Sequence, residues 1–186
     1  MRFSIVPHMK NKLLLSLCCL VVLGACKKEI TELPPASDTG SNTFGAKVNG
    51  SLWAPQGFGT IPASNLLEAR YIGDDLIINA NNFASSPNET GFEIRVINAI
   101  ATGTYTFNTT VTPPSFAASY AYYVKRRVTP QNEWVTSATQ TGSITFTKID
   151  RTAGIVAGTF QFNALNLYNT PEPLVVTEGR FDIKLQ

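Results

Sequence analysis

The chain is 186 residues long, with 44% hydrophobic residues, 15% charged residues and a formal charge of +2. Its single histidine, His8, and its three cysteines, Cys18, Cys19 and Cys26, all lie at or before Cys26. The rest of the chain therefore lacks the side chains for Ser-His-Asp or Cys-His nucleophilic catalysis. It also lacks ligands for a zinc, copper or haem site that needs histidine or thiolate, and it cannot form a structural disulfide.

The first segment is a targeting signal. Arg2, Lys10 and Lys12 make a positive start, and Leu13 to Leu23 form an apolar run that is too short to cross a bilayer core of roughly 30 Å as a helix. That combination predicts a secretory signal peptide over residues 1–25, to be set aside from the fold. Met9-Lys10-Asn11-Lys12 is by itself a normal start for such a peptide, so translation from Met9 is an alternative to Met1. The end of the run, Leu23-Gly24-Ala25-Cys26, resembles the bacterial lipobox: an aliphatic residue, two small residues beside the scissile bond, then the cysteine that takes the diacylglyceryl group. Lipidation at Cys26 is expected, with acyl chains holding the protein to a membrane through about 0.8 kcal/mol per buried methylene. Lys27 is not the aspartate that retains lipoproteins in the inner membrane of enteric bacteria, so the outer membrane is the expected location. Lys27-Lys28-Glu29 loosely resembles a surface-export tag, which leaves the periplasmic and cell-surface faces both open. Removing the leader takes away Arg2, Lys10 and Lys12, so the mature formal charge falls from +2 to −1. Lys125-Arg126-Arg127 is then the main basic cluster, too small to imply nucleic acid as a partner.

Residues 26–42 carry the lipidated cysteine and Pro34-Pro35, Asp38, Gly40 and Ser41 with few apolar side chains. They read as a flexible tether. Residues 43–186 form one domain of ordinary size.

Within that domain the pattern is period two, with turn residues between short runs, as in antiparallel β structure. FGAKVNGSLW (44–53) carries Asn49-Gly50, the pair suited to a type I′ hairpin because both central residues need φ > 0. PASNLLEAR (62–70) is the one candidate helix, and it is short. DLIINANNF (75–83), GFEIRVINA (91–99), GTYTFN (103–108), SYAYYVKRR (119–127) and EWVTSA (133–138) read as strands. GSITFTKIDRTAGIVAGTFQFNA reads as strand, turn, strand, with Val156, Gly158, Phe160 and Phe162 sharing the buried face. In the last strand Phe181, Ile183 and Leu185 point inward, while Glu178, Arg180, Asp182 and Lys184 form an outward, solvated face. Nine or ten such strands predict an all-β antiparallel β-sandwich, with a calycin-like β-barrel as the alternative.

The two ends of the domain, FGAKVNGSLWAP and GSITFTKIDRTAGIVAGTFQFNA … VVTEGRFDIKL, resemble the domain-of-unknown-function family 6252, uncharacterised lipoproteins of Bacteroidota. The resemblance implies no activity, no cofactor and no functional residues.

Candidate sites rest on the residues alone. The acids fall mostly at predicted turns and outward strand positions, and Asp74-Asp75 lacks the spacing of a calcium loop. A carboxylate pair facing one cleft would make the domain a small hydrolase acting on glycans. The reading preferred here is a non-catalytic, monomeric module that binds a glycan or an envelope protein. Aromatic platforms with polar neighbours suit such ligands, and the candidates are Trp134, Tyr123, Asn132 and Gln131. VTPPSF (111–116) is an expected exposed loop that frames a site or simply joins strands.

Overall fold

A computed structural model describes residues 29–57, 66–84, 88–126, 132–168 and 172–186. Cys26 and Gln131 lie outside the described residues, as do the leader and the start of the candidate helix.

Among the described residues, eleven antiparallel strands make up the domain: β1 (Thr43–Val48), β2 (Ser51–Trp53), β3 (Leu67–Ile72), β4 (Asp75–Asn82), β5 (Glu89–Val96), β6 (Gly103–Phe107), β7 (Tyr120–Arg126), β8 (Glu133–Val135), β9 (Gly142–Asp150), β10 (Ile155–Asn166) and β11 (Leu174–Lys184). They form one curled sheet in the order β2-β1-β11-β10-β8-β7-β5-β4-β3, with β9 also on β10 and β6 beyond it. The curl comes from β10. Its first part pairs with β11 and β9, while its last residues, Leu165 and Asn166, pair with Val135 and Trp134 of β8. The sheet thus closes into two halves packed face to face, and a bridge from Ala69 to Leu185 brings β3 against the end of β11. This all-β, sandwich-like architecture agrees with the sequence reading.

Alternation places the core between the halves. Val156, Phe160 and Phe162 of β10 are buried while Thr159 and Gln161 are exposed. Phe92 of β5 meets Phe160 and Phe162 at ring-centroid distances of 6.1 Å, and Phe44 of β1 at 5.5 Å. Fully burying such rings contributes roughly 1.5–3 kcal/mol each. The Asn49-Gly50 hairpin forms as expected, with φ of 46° and 80° and Val48 paired to Ser51.

Three expectations are corrected. The candidate helix is a strand: Leu67 to Arg70 belong to β3 and pair with Ala80 to Ile77. The Gly73-Asp74 turn returns the chain as β4, and Ala69 within this ladder is completely buried. β3 is the strand missing from the sequence count.

The segment before β1 is not free along its length. Residues 34–42, expected as part of a tether, lie against β1 and β11. Pro34 packs so close to Gly45 that a Cβ there would sit 2.6 Å from its ring. Arg180 donates to the Pro34 carbonyl, Lys148 to that of Asp38, and the Lys184 N–H to Asn42 Oδ1. We term this stretch the strap.

Finally, Asp182 is not on a solvated face. It is 1% exposed beneath the strap, which supplies its donors: the Ser37 hydroxyl and the N–H groups of Thr39, Gly40 and Ser41.

Candidate functional site

At the Asn49-Gly50 end of the domain the two halves part around a recess of about 370 Å³. Inward alternation on three strands brings its floor together: Trp53 from β2, Tyr123 from β7 and Trp134 from β8. The rings are members of the core, not a free platform. Trp134 and Tyr123 are each 4% exposed, so the aromatic platform the sequence suggested is a buried floor. Large rings in a domain without disulfides carry too much apolar area to be left in water.

Each ring's polar handle is engaged. Trp53 Nε1 donates to Thr90 Oγ1 at 2.8 Å and Trp134 Nε1 to the Glu172 carbonyl at 2.9 Å. Burial pushes the Tyr123 hydroxyl above its ordinary pKa, against a smaller lowering by its hydrogen bond with Thr90, so it stays protonated at neutral pH. Ser51, Lys125 and Glu172 stand on the rim. Asn132 is half-buried and its carbonyl accepts from Lys125 N–H, so it shapes the β7–β8 entry without lining the recess. Of the four predicted residues the structure therefore brings Trp134 and Tyr123 to one recess, places Asn132 outside its lining, and does not describe Gln131.

A concave, ring-floored opening with a mixed-charge rim suits a ligand of alternating apolar and polar surface. Three carboxylates pair with basic side chains: Asp74 with Arg151 at 2.8 Å, Glu178 with Lys47 at 2.6 Å and Glu68 with Arg70 at 2.9 Å. Asp74 and Asp75 face different arginines, Arg151 and Arg95. Among the described residues no cluster of three His, Cys, Asp or Glu side chains could hold a metal ion, and no helix is long and apolar enough to cross a membrane.

A family model, Domain of unknown function (DUF6252), matches residues 41–182. The chain belongs to this family. The match begins within the strap and ends on Asp182, so the DUF6252 unit takes in the β1-to-β11 framework and both walls of the recess. No curated protein and no solved structure gives a significant match to this DUF6252 chain.

Two charged residues at the other end of the DUF6252 domain were not singled out by the sequence. Asp182 read as one of four alternating charges, and nothing in the run distinguishes it. Arg95 lies with Glu93 on the face of its strand opposite Phe92, Ile94 and Val96, yet it is 2% exposed, because the coil after β6 folds over the outer face of β5. The only sequence signal was the loop 111–116 itself, rich in proline and ending on a phenylalanine.

Proposed function

We propose that the protein is a non-catalytic binding module of the bacterial cell envelope, held to the outer membrane through lipid on Cys26 and binding an envelope glycan or protein in the recess. The observation that carries the reading is the recess floored by Trp53, Tyr123 and Trp134 and rimmed by Ser51, Lys125 and Glu172. Its position supports the same view. Glu29, where the described chain begins, lies near Asn42, Thr43 and Phe44 at the start of β1, whereas the recess lies beyond the far end of that strand. Six residues of strand separate the two by roughly 20 Å. A lipid on Cys26 would thus hold one end of the domain to the membrane and leave the recess at the other.

The test blocks the recess without touching the core. Ser51 is exposed on its rim, so Ser51→Trp should fill the opening and leave the melting temperature within a degree or two, as for other surface changes. In cells fed labelled palmitate, the wild-type chain and Ser51→Trp should both take label and Cys26→Ala should not. An envelope component retained by wild type should be lost from Ser51→Trp. Equal retention by both would remove the recess as the site, and label on Cys26→Ala would remove the anchor.

A further inference from the structure

A second place in the molecule is built for a ligand, on the opposite end and on the outer face of β5. Thr90, which bonds Trp53 at the recess, and Arg95 are five residues apart on the same strand, roughly 17 Å, so this place is separate from the recess.

Arg95 is an arginine 2% exposed, yet its Nε and Nη2 make no hydrogen bond. Those two N–H groups form one edge of the guanidinium, the fork that grips a pair of oxygens. Alongside the edge stands Asp75, whose Oδ2 is 3.6 Å from Nη2, while its Oδ1 accepts the Asn98 N–H. That separation exceeds a direct hydrogen bond, for which N–H···O distances run to about 3.2 Å. It is a fitting base for a triangle whose apex is one hydroxyl oxygen at about 2.9 Å from both. Such a hydroxyl accepts from Nη2 and donates to Asp75, and a vicinal hydroxyl accepts from Nε.

Charge decides what kind of ligand this is. Arg95 is already faced by Asp75, and the next outward residue on its own strand, Glu93, accepts the Tyr120 hydroxyl. Across the sheet, Arg95 pairs with Ile77 of β4 and Tyr120 of β7. An incoming anion would meet two carboxylates for one guanidinium, while neutral hydroxyls meet matched donors and acceptors. Tyr120 remains a donor, since burial, and then its bond to Glu93, push its pKa far up.

The covering residue completes the site. The Phe116 ring lies 3.6 Å from the Arg95 guanidinium carbon and is 66% exposed. One face is stacked on the cation and covers the fork, so turning the ring aside bares both the fork and that apolar face, which can then take the C–H face of a pyranose ring. Its loop is tied at the two ends, by Ala138 N–H to Thr110 Oγ1 and by Ile97 N–H to Ser119 Oγ. Between these ties the coil of residues 112–117 is largely exposed, with Ser115 N–H directed to the Tyr120 hydroxyl at 3.5 Å; a ligand reaches the fork once the Phe116 ring turns off the guanidinium.

The geometry points to Arg95, Asp75 and Phe116 as a binding site for a neutral pyranose of an oligosaccharide, its vicinal hydroxyls on the fork and its ring against Phe116. The site does not depend on the recess or on the lipid anchor.

The full chain should be titrated with cellohexaose, maltohexaose and mannohexaose, and with hexagalacturonate as the anionic counterpart, following the arginine Nε–H resonances by NMR. At least one neutral sugar should move the Arg95 resonance. Phe116→Ala and Arg95→Met should each weaken that binding tenfold or more with little change in melting temperature, and Ser51→Trp should leave it unchanged. Phe116 is exposed, so its variant folds even if the arginine variant does not. Silence with all three neutral sugars, binding that survives both variants, or tighter binding of hexagalacturonate would each overturn the assignment.

Discussion

Two buried charges lie on the outer faces of the two halves of the fold, each under a length of coil, and they are held in opposite ways. Asp182 on β11 receives the Ser37 hydroxyl and three consecutive N–H groups from Thr39 to Ser41. Arg95 on β5 is covered by an aromatic ring, and on one edge of its guanidinium neither Nε nor Nη2 makes a hydrogen bond, the Asp75 carboxylate standing 3.6 Å from Nη2. A carboxylate ringed by donors has its capacity filled by its own chain, and what it does is fasten that chain. A guanidinium with a free fork is retained at a cost, since an unsatisfied buried donor loses about 1–3 kcal/mol. The same burial therefore marks one charge as a clasp and the other as a group kept available.

The largest expected effect is on the clasp. Asp182→Ala strips the acceptor from the Ser37 hydroxyl, three N–H groups and the more distant Thr39 hydroxyl at once, and hydrogen bonds to a charged partner are worth about 1.5–3 kcal/mol singly. Because the strap can lift into water and recover part of this, we expect a loss of about 2–4 kcal/mol in urea unfolding, with new proteolytic cleavage between Pro34 and Asn42. A stable variant with a protected strap would mean that Pro34 against Gly45 and the Arg180 and Lys148 contacts hold the segment without Asp182. The clasp also has a pH signature. Burial raises the Asp182 pKa, but the Ser37 hydroxyl and the N–H groups of Ser41, Gly40 and Thr39 outweigh it and bring the group from 3.8 to about 2. The folded value lies below the ordinary one, so the stabilisation is fully present above about pH 4 and fades as pH falls toward 2. Urea midpoints at pH 6 and pH 2.5 should differ by on the order of 1–2 kcal/mol more in wild type than in Asp182→Ala.

What the sequence made legible follows from what its patterns encode. Period-two alternation in β10 and the Asn49-Gly50 pair report local geometry, and both came out in register: Phe160 inward, Gln161 outward, and both turn residues at positive φ. β3 was hidden because Leu67-Glu68-Ala69-Arg70 alternates too briefly to exclude a helical turn, although Gly73-Asp74 before Asp75-Leu76 is a two-residue hairpin signal that could have recovered it. The burial of Asp182 and Arg95 was not legible, for a common reason. Alternation along a strand says which face a side chain takes, but not whether a distant coil lies over that face. In both cases the cover comes from segments without periodicity, the strap and the loop bearing Phe116. The same gap explains the aromatic residues: the sequence put Tyr123 and Trp134 on successive strands but could not say that their rings pack with Phe92 and Trp53 into the core.

The smallest expected effect falls on the available charge. Arg95→Met keeps an unbranched stem under Phe116 and replaces the cation with a thioether suited to a ring face, while removing two buried donors that have no acceptor. Asp75 loses its partner but is 22% exposed and keeps the Asn98 N–H, so water screens the charge left behind. Replacing a buried ionic group by a well-packed apolar one is often neutral or better. We therefore expect a change under about 1 kcal/mol in the urea midpoint, well below that of Asp182→Ala measured side by side. If the two substitutions instead cost the same, Arg95 fastens the Phe116 loop as Asp182 fastens the strap, and the distinction between clasp and available group is lost. If Arg95→Met is neutral, the fold has no structural need for that guanidinium, and its retention under a removable ring is the pattern expected of a group kept for a ligand.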